Sequence, residues 1–198
     1  ILEAHELAHQ WWGNHVGFEN YRDEWLAEAL ANYSALLSLE KRHGLKPVET
    51  VLEEYKRRLI FQGKDGKSLD SAGPLVFGMR LRYSDPVAWH AVTYGKSTWV
   101  LHMLRNRLGD TAFLKMLAQL VKDYAGKAMT TEDLRRAAAA MLPKDAPDRD
   151  LVNFFETWVY GTGMPHLELT TTLKGVAPRR VMELRLKQTL VPDDFALD

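Results

Sequence analysis

The segment His5-Glu6-Leu7-Ala8-His9, followed after eighteen residues by Glu28 in Trp25-Leu26-Ala27-Glu28-Ala29, constrains the fold of this chain more than any other feature. An α-helix turns about 100° per residue, so His5 and His9 lie about 40° apart on one face and can both place an imidazole nitrogen on a single ion. Glu6 sits beside that face, placed to take a proton from a water held there. One helix cannot supply three such donors and still leave a position open for water. A second helix carrying Glu28 must therefore return beside the first.

Simpler explanations cover single members of this set. A solvated helix face accounts for Glu6 alone, and a hydrogen-bonded core histidine for His5 or His9 alone, but neither accounts for the three spacings together. The chain contains no cysteine, so any metal must use His and carboxylate donors. His5, His9 and Glu28 are the expected ligands of one Zn2+ ion and Glu6 the expected base. Glu24, one turn before Glu28, could compete as a ligand, whereas Asp23 reads as a helix N-cap. His15, His43, His90, His102 and His166 have no ligand spacing and read as surface or core residues. Trp11 and Trp12 are expected in the core.

Of the 198 residues 46% are apolar, enough to build a core in one domain with part of a second. Lys and Arg number 26 and so do Asp and Glu, which removes the electrostatic case for nucleic acid or an anionic membrane as partner. No apolar run approaches the length of a membrane span. The chain opens at Ile1 inside a helical pattern with no capping residue before it, as expected of a piece of a longer protein. Upstream domains would then be partners, and the apolar surface they cover predicts self-association.

Apolar periodicity predicts mostly helices. The first ends near Trp12-Gly13-Asn14, and a second runs from Asp23 to about Arg42 with Trp25, Leu26, Leu30, Tyr33, Leu36 and Leu37 as its apolar stripe. Ala27, Ala29 and Ala31, with Ala4 and Ala8 opposite, would let these two helices approach closely. Pro47 opens a third helix to about Gln62, and residues 71–91 read as an irregular connection of the kind that lines clefts. Further helices are expected over 92–108, over 111–124 capped by Asp110, and over 132–141 capped by Thr130 with Asp133 completing a box. A last one runs from Asp148 or Asp150 to Tyr160. Residues 166–173 and 180–190 alternate like strands. The expected division is a helical region over 1–161 and the start of a β domain over 162–198.

The run from His5 to Tyr33, HELAHQWWGNHVGFENYRDEWLAEALANY, closely resembles the zinc-site region of the aminopeptidase N family, gluzincin metallopeptidases of the membrane alanyl aminopeptidase type. Thr93-Tyr94-Gly95-Lys96, followed by Val100-Leu101-His102-Met103-Leu104-Arg105, resembles the family's Tyr-x-Lys-Gly helix start. This likeness implies a mainly α, thermolysin-like catalytic subdomain followed by the start of a small β domain, and removal of N-terminal residues from a peptide substrate. It also implies that Tyr94 donates a hydrogen bond to the oxyanion, where an ordinary reading of that residue is a buried structural tyrosine. Ala27 and Ala29 stand where the family has Asn and Gly, and Ser97 where it has Gly. The family's Gly-x-Met-Glu-Asn segment, which holds the substrate amine, is not in the sequence. An endopeptidase or other zinc hydrolase, and an inactive zinc-binding scaffold, are the alternatives.

Overall fold

The computed structural model describes residues 1–64 and 66–189. As the apolar periodicity predicts, it is mainly α-helical. The chain divides into a helical unit, Ile1–Thr162, and a hairpin unit that begins at Gly163. Among the described residues no helix is long and apolar enough to cross a membrane.

Helix α1 (Leu2–Ala8) stops short of Trp12, with His9 as its C-cap residue. The reason lies in Trp12, whose buried indole donates to Ser34 Oγ at 3.1 Å and draws the backbone inward. Gly13 adopts φ 113°, a conformation open to glycine at little cost, and Trp12 and Val16 form a bridge. Trp11, by contrast, is exposed, so only the second of the two tryptophans belongs to the core.

Strand β1 (Gly17–Phe18) leads to α2 (Trp25–His43), the centre of the unit. Trp25, Leu26, Leu30, Tyr33 and Leu36 are buried along with Ala29, Ala31 and Ala35, so α2 is covered on more than one face. Each buried leucine there contributes about 1.5–3 kcal/mol. Asp23 does not cap this helix. Its Oδ1 accepts from the Thr131 backbone N–H at 2.7 Å and from Thr131 Oγ1 at 2.8 Å, which ties the entry of α2 to a helix far along the chain.

After α3 (Leu45–Ile60) the stretch read as irregular is largely helical in short pieces. Two 3-10 turns, Leu69–Ala72 and Leu75–Phe77, precede α4 (Met79–Ser84) and α5 (Pro86–His90). Gly and Pro interrupt the period without preventing single turns, and Asp85 caps α5 by accepting from the Ala88 N–H at 2.9 Å. A π turn over Ala91–Lys96 then runs straight into α6 (Ser97–Leu108).

In α7 (Asp110–Asp123) the N-cap is Gly109, and Asp110 serves instead as a partner of Arg105, accepting from Nε at 2.7 Å. Arg105 also forks onto both carboxylate oxygens of Glu40, fixing α6 to α2. Strand β2 (Ala128–Met129) pairs in parallel with β1. Helix α8 (Thr131–Ala139) begins with the expected capping box of Thr130 and Asp133. Before α9 (Val152–Phe155) and a π turn to Tyr160, both candidate caps act: Asp148 accepts from the Asn153 and Phe154 N–H groups, Asp150 from Val152 N–H.

The hairpin unit consists of β3 (His166–Lys174) and β4 (Val181–Thr189), antiparallel with Leu169 opposite Leu186. The sequence reading carries the second strand to Leu190 and the β region to Asp198, and residues 190–198 lie outside the described residues.

Candidate metal centre

The two helices bring His5, His9 and Glu28 to one point. His9 Nε2 lies 3.1 Å from His5 Nε2, and Glu28 Oε2 lies 3.3 Å from His5 Nε2 and 3.7 Å from His9 Nε2. Small residues allow the approach, since Ala8 on α1 and Ala29 and Ala31 on α2 are buried. Ala29, where the resemblance leads one to look for Gly, therefore fits without pushing Glu28 away.

The donor set suits zinc. Two ligands at about 2.05 Å from a tetrahedral ion lie about 3.3 Å apart, close to all three separations seen here. Glu28 Oε2 is buried and has no hydrogen-bond partner, an arrangement that costs free energy unless a cation faces it. Burial pushes the Glu28 carboxyl up in pKa. The polar side chains of His5, Tyr94 and His9 around it outweigh that and hold it below the usual carboxylate range. Glu24 is not in the donor group: it is half-buried, with its pKa raised by burial and by the Glu28 charge, and Arg82 partly offsets this.

His9 is oriented from the turn that ends α1. Its Nδ1 lies 2.9 Å from the Trp12 carbonyl oxygen, so Nδ1 donates and Nε2 is left with its lone pair toward the donor cluster. Nothing in the helical spacing announces this contact; the Gly13 turn signal was the only trace of it in the sequence. Glu6 stands exposed on α1 next to His5, with its carboxylate close enough to act electrostatically on Tyr94.

Tyr94 sits in the π turn with its hydroxyl in electrostatic reach of the Glu28 carboxylate. Burial above all, then the carboxylates of Glu28 and Glu6, push its pKa above the ordinary tyrosine value, so it remains a proton donor at neutral pH. Its ring touches those of His5, Trp89 and His90 at centroid distances of 5.9, 5.8 and 4.8 Å. Behind it, Asn32 Nδ2 reaches the Tyr94 carbonyl oxygen at 3.4 Å and Thr98 Oγ1 at 2.8 Å. Asn32 lies one turn after Glu28 on α2, so a single helix carries the acid and also reaches the tyrosine's backbone.

The wide turn has its own supports. Lys96 is buried against Asp70, Nζ to Oδ1 at 2.9 Å, and also donates to the Gly161 carbonyl oxygen at 3.0 Å. Ser97 donates its hydroxyl back to the Thr93 carbonyl oxygen, so the serine found where Gly is usual occupies its buried place with its polar group satisfied. The remaining histidines stay apart from the cluster. His102 pairs with the Tyr33 hydroxyl at 3.0 Å, and His15, His43 and His166 are exposed.

Comparison with known proteins adds the following. The peptidase family M1 domain profile matches residues 2–158. Aminopeptidase N of Lactococcus lactis is 29% identical over 170 residues, covering 83% of this chain and 19% of that protein. Human endoplasmic reticulum aminopeptidase 2 is 30% identical over 131 residues, 66% of this chain and 13% of the other. Among solved structures, a mutant M1 zinc metallopeptidase of Deinococcus radiodurans bound to a Tyr-Ser-Ala substrate matches with a TM-score of 0.63 at 28% identity, over 83% of this chain and 34% of that one. The same organism's enzyme without the mutation gives a TM-score of 0.59 at 26% identity, covering 82% and 33%. The chain thus spans about a fifth or less of the length of these curated relatives.

Proposed function

This chain belongs to peptidase family M1, and from that premise we propose that its site hydrolyses peptide bonds with one zinc ion, removing N-terminal residues from peptides. The observation that carries the reading is the convergence of His5, His9 and Glu28, with the Tyr94 ring set against that of His5.

His5, His9 and Glu28 would hold the zinc, which when bound supplies a Lewis acid and brings the pKa of a water down to about 7. Glu6 takes the proton of the attacking water and returns it to the leaving amine. Tyr94, kept protonated by its surroundings, donates to the oxygen on which charge develops. One such donor is worth about 2.7–4 kcal/mol. The His9 ring is held in its useful tautomer by the Trp12 carbonyl. The aminopeptidase names of the relatives favour the exopeptidase form of this reading over an endopeptidase.

The test joins metal and turnover. The chain should bind about one zinc per molecule, and Glu6→Gln should keep that zinc and lose hydrolysis of an aminoacyl anilide. A chain that takes up no zinc removes the proposal. Full activity in Glu6→Gln removes the role of Glu6.

A further inference from the structure

Close to the candidate centre, an open groove of about 750 Å³ runs between α3 and α5. His90 belongs to both places. It lines the groove and its ring lies on that of Tyr94, 4.8 Å between centroids at 35°. With the His5 and Tyr94 rings 5.9 Å apart, the groove begins within about three extended residues of the donor cluster.

The chemistry of the walls is uneven. Arg57, Arg58 and Glu54 come from α3, so guanidinium groups outnumber carboxylates there. Arg58 lies 3.6 Å from Glu54 in an i,i+4 pair, while Arg57 has no ion-pair partner among the described residues. Phe61 and Val87, 62% and 67% exposed, supply apolar surface on either side. A guanidinium with no ion pair among the described residues, in a groove that also presents exposed apolar side chains, suits a ligand that is aliphatic or aromatic along its length and carries a planar anion.

We infer that this groove is an extension of the substrate cleft that recognises a carboxylate of a peptide, with Arg57 as the specificity-determining residue. The inference rests on the peptidase reading above, which makes a peptide the molecule that reaches the groove. The carboxylate is that of an acidic side chain or of the peptide's own C-terminus; both meet Arg57 through the same paired hydrogen bonds, while Phe61 and Val87 cover the adjoining apolar part.

The experiment uses the full chain carrying Glu6→Gln, loaded with zinc, so that peptides bind without being cut. Three fluorescent tetrapeptides are compared: one with Gln at the third position and an amidated C-terminus, one with Glu there and the same amide, and one with Gln and a free C-terminal carboxylate. At least one carboxylate peptide should bind about tenfold more tightly than the neutral one, the effect of one charge-assisted hydrogen-bonded pair. Which of the two gains identifies the source of the carboxylate. Adding Arg57→Ala should abolish the preference while zinc content is retained. A chain that holds zinc and binds all three peptides alike overturns the groove assignment alone, as does a preference that survives Arg57→Ala. A chain that holds no zinc and binds none of them overturns the peptidase reading and the groove with it.

Discussion

Tyr94 shows how a single residue depends on its surroundings for its chemistry. Its hydroxyl is raised in pKa by burial, by Glu28 and by Glu6, so it is protonated at every pH at which a peptidase would ordinarily work. Tyr94→Phe removes the donor and leaves the ring contacts with His5, Trp89 and His90 in place. Turnover should fall by about 100- to 1000-fold with zinc content unchanged, measured by single-turnover kinetics beside metal analysis. A loss of zinc in that variant would instead mark the tyrosine as a support of Glu28. Asn32 is legible in the sequence only as a polar residue on an apolar helix. Its reach to the Tyr94 carbonyl joins residues 62 positions apart, a relation no local pattern records.

At the level of elements, the π turn Ala91–Lys96 rests on a buried ion pair. Lys96 is 1% exposed and Asp70 0%, and the pair links the turn to the 3-10 segment Leu69–Ala72. Asp70→Asn leaves a buried ammonium without its counter-charge, which should cost about 3–5 kcal/mol and appear as a lower urea midpoint. The double replacement of Lys96 by Met and Asp70 by Leu should recover most of that stability, because two apolar side chains of similar volume need no compensation. If the single and double variants unfold at the same midpoint, the ion pair is not what holds the turn. Helix boundaries followed sequence signals where the cap is local, as at Thr130 with Asp133, and departed from them where a distant partner claimed the capping residue. Asp23 is the clearest instance: its carboxylate serves the start of α8, 108 residues away.

Over the whole molecule, the helical unit has an extensive core and the hairpin unit has little. Leu167, Leu169 and Leu173 on β3 and Met182, Leu184 and Leu186 on β4 share one face and are all exposed. Two strands alone are marginal in water, and such a face is covered in a stable domain. We propose that the hairpin opens a β domain, and that this chain by itself self-associates through that face. Sedimentation velocity should show association that rises with concentration and is suppressed by Leu169→Lys with Leu186→Lys; a monomer at all concentrations would refute it. The sequence by itself determined the donor types, their helical spacing and the alternation of the strands, because a period of 3.6 or 2 is a property of neighbouring residues. Only the tertiary structure decided that Tyr94 lies against His5, that Asp23 serves α8 and that a groove opens beside His90. Each of these is a contact between segments distant along the chain, and side-chain packing rather than local periodicity sets it.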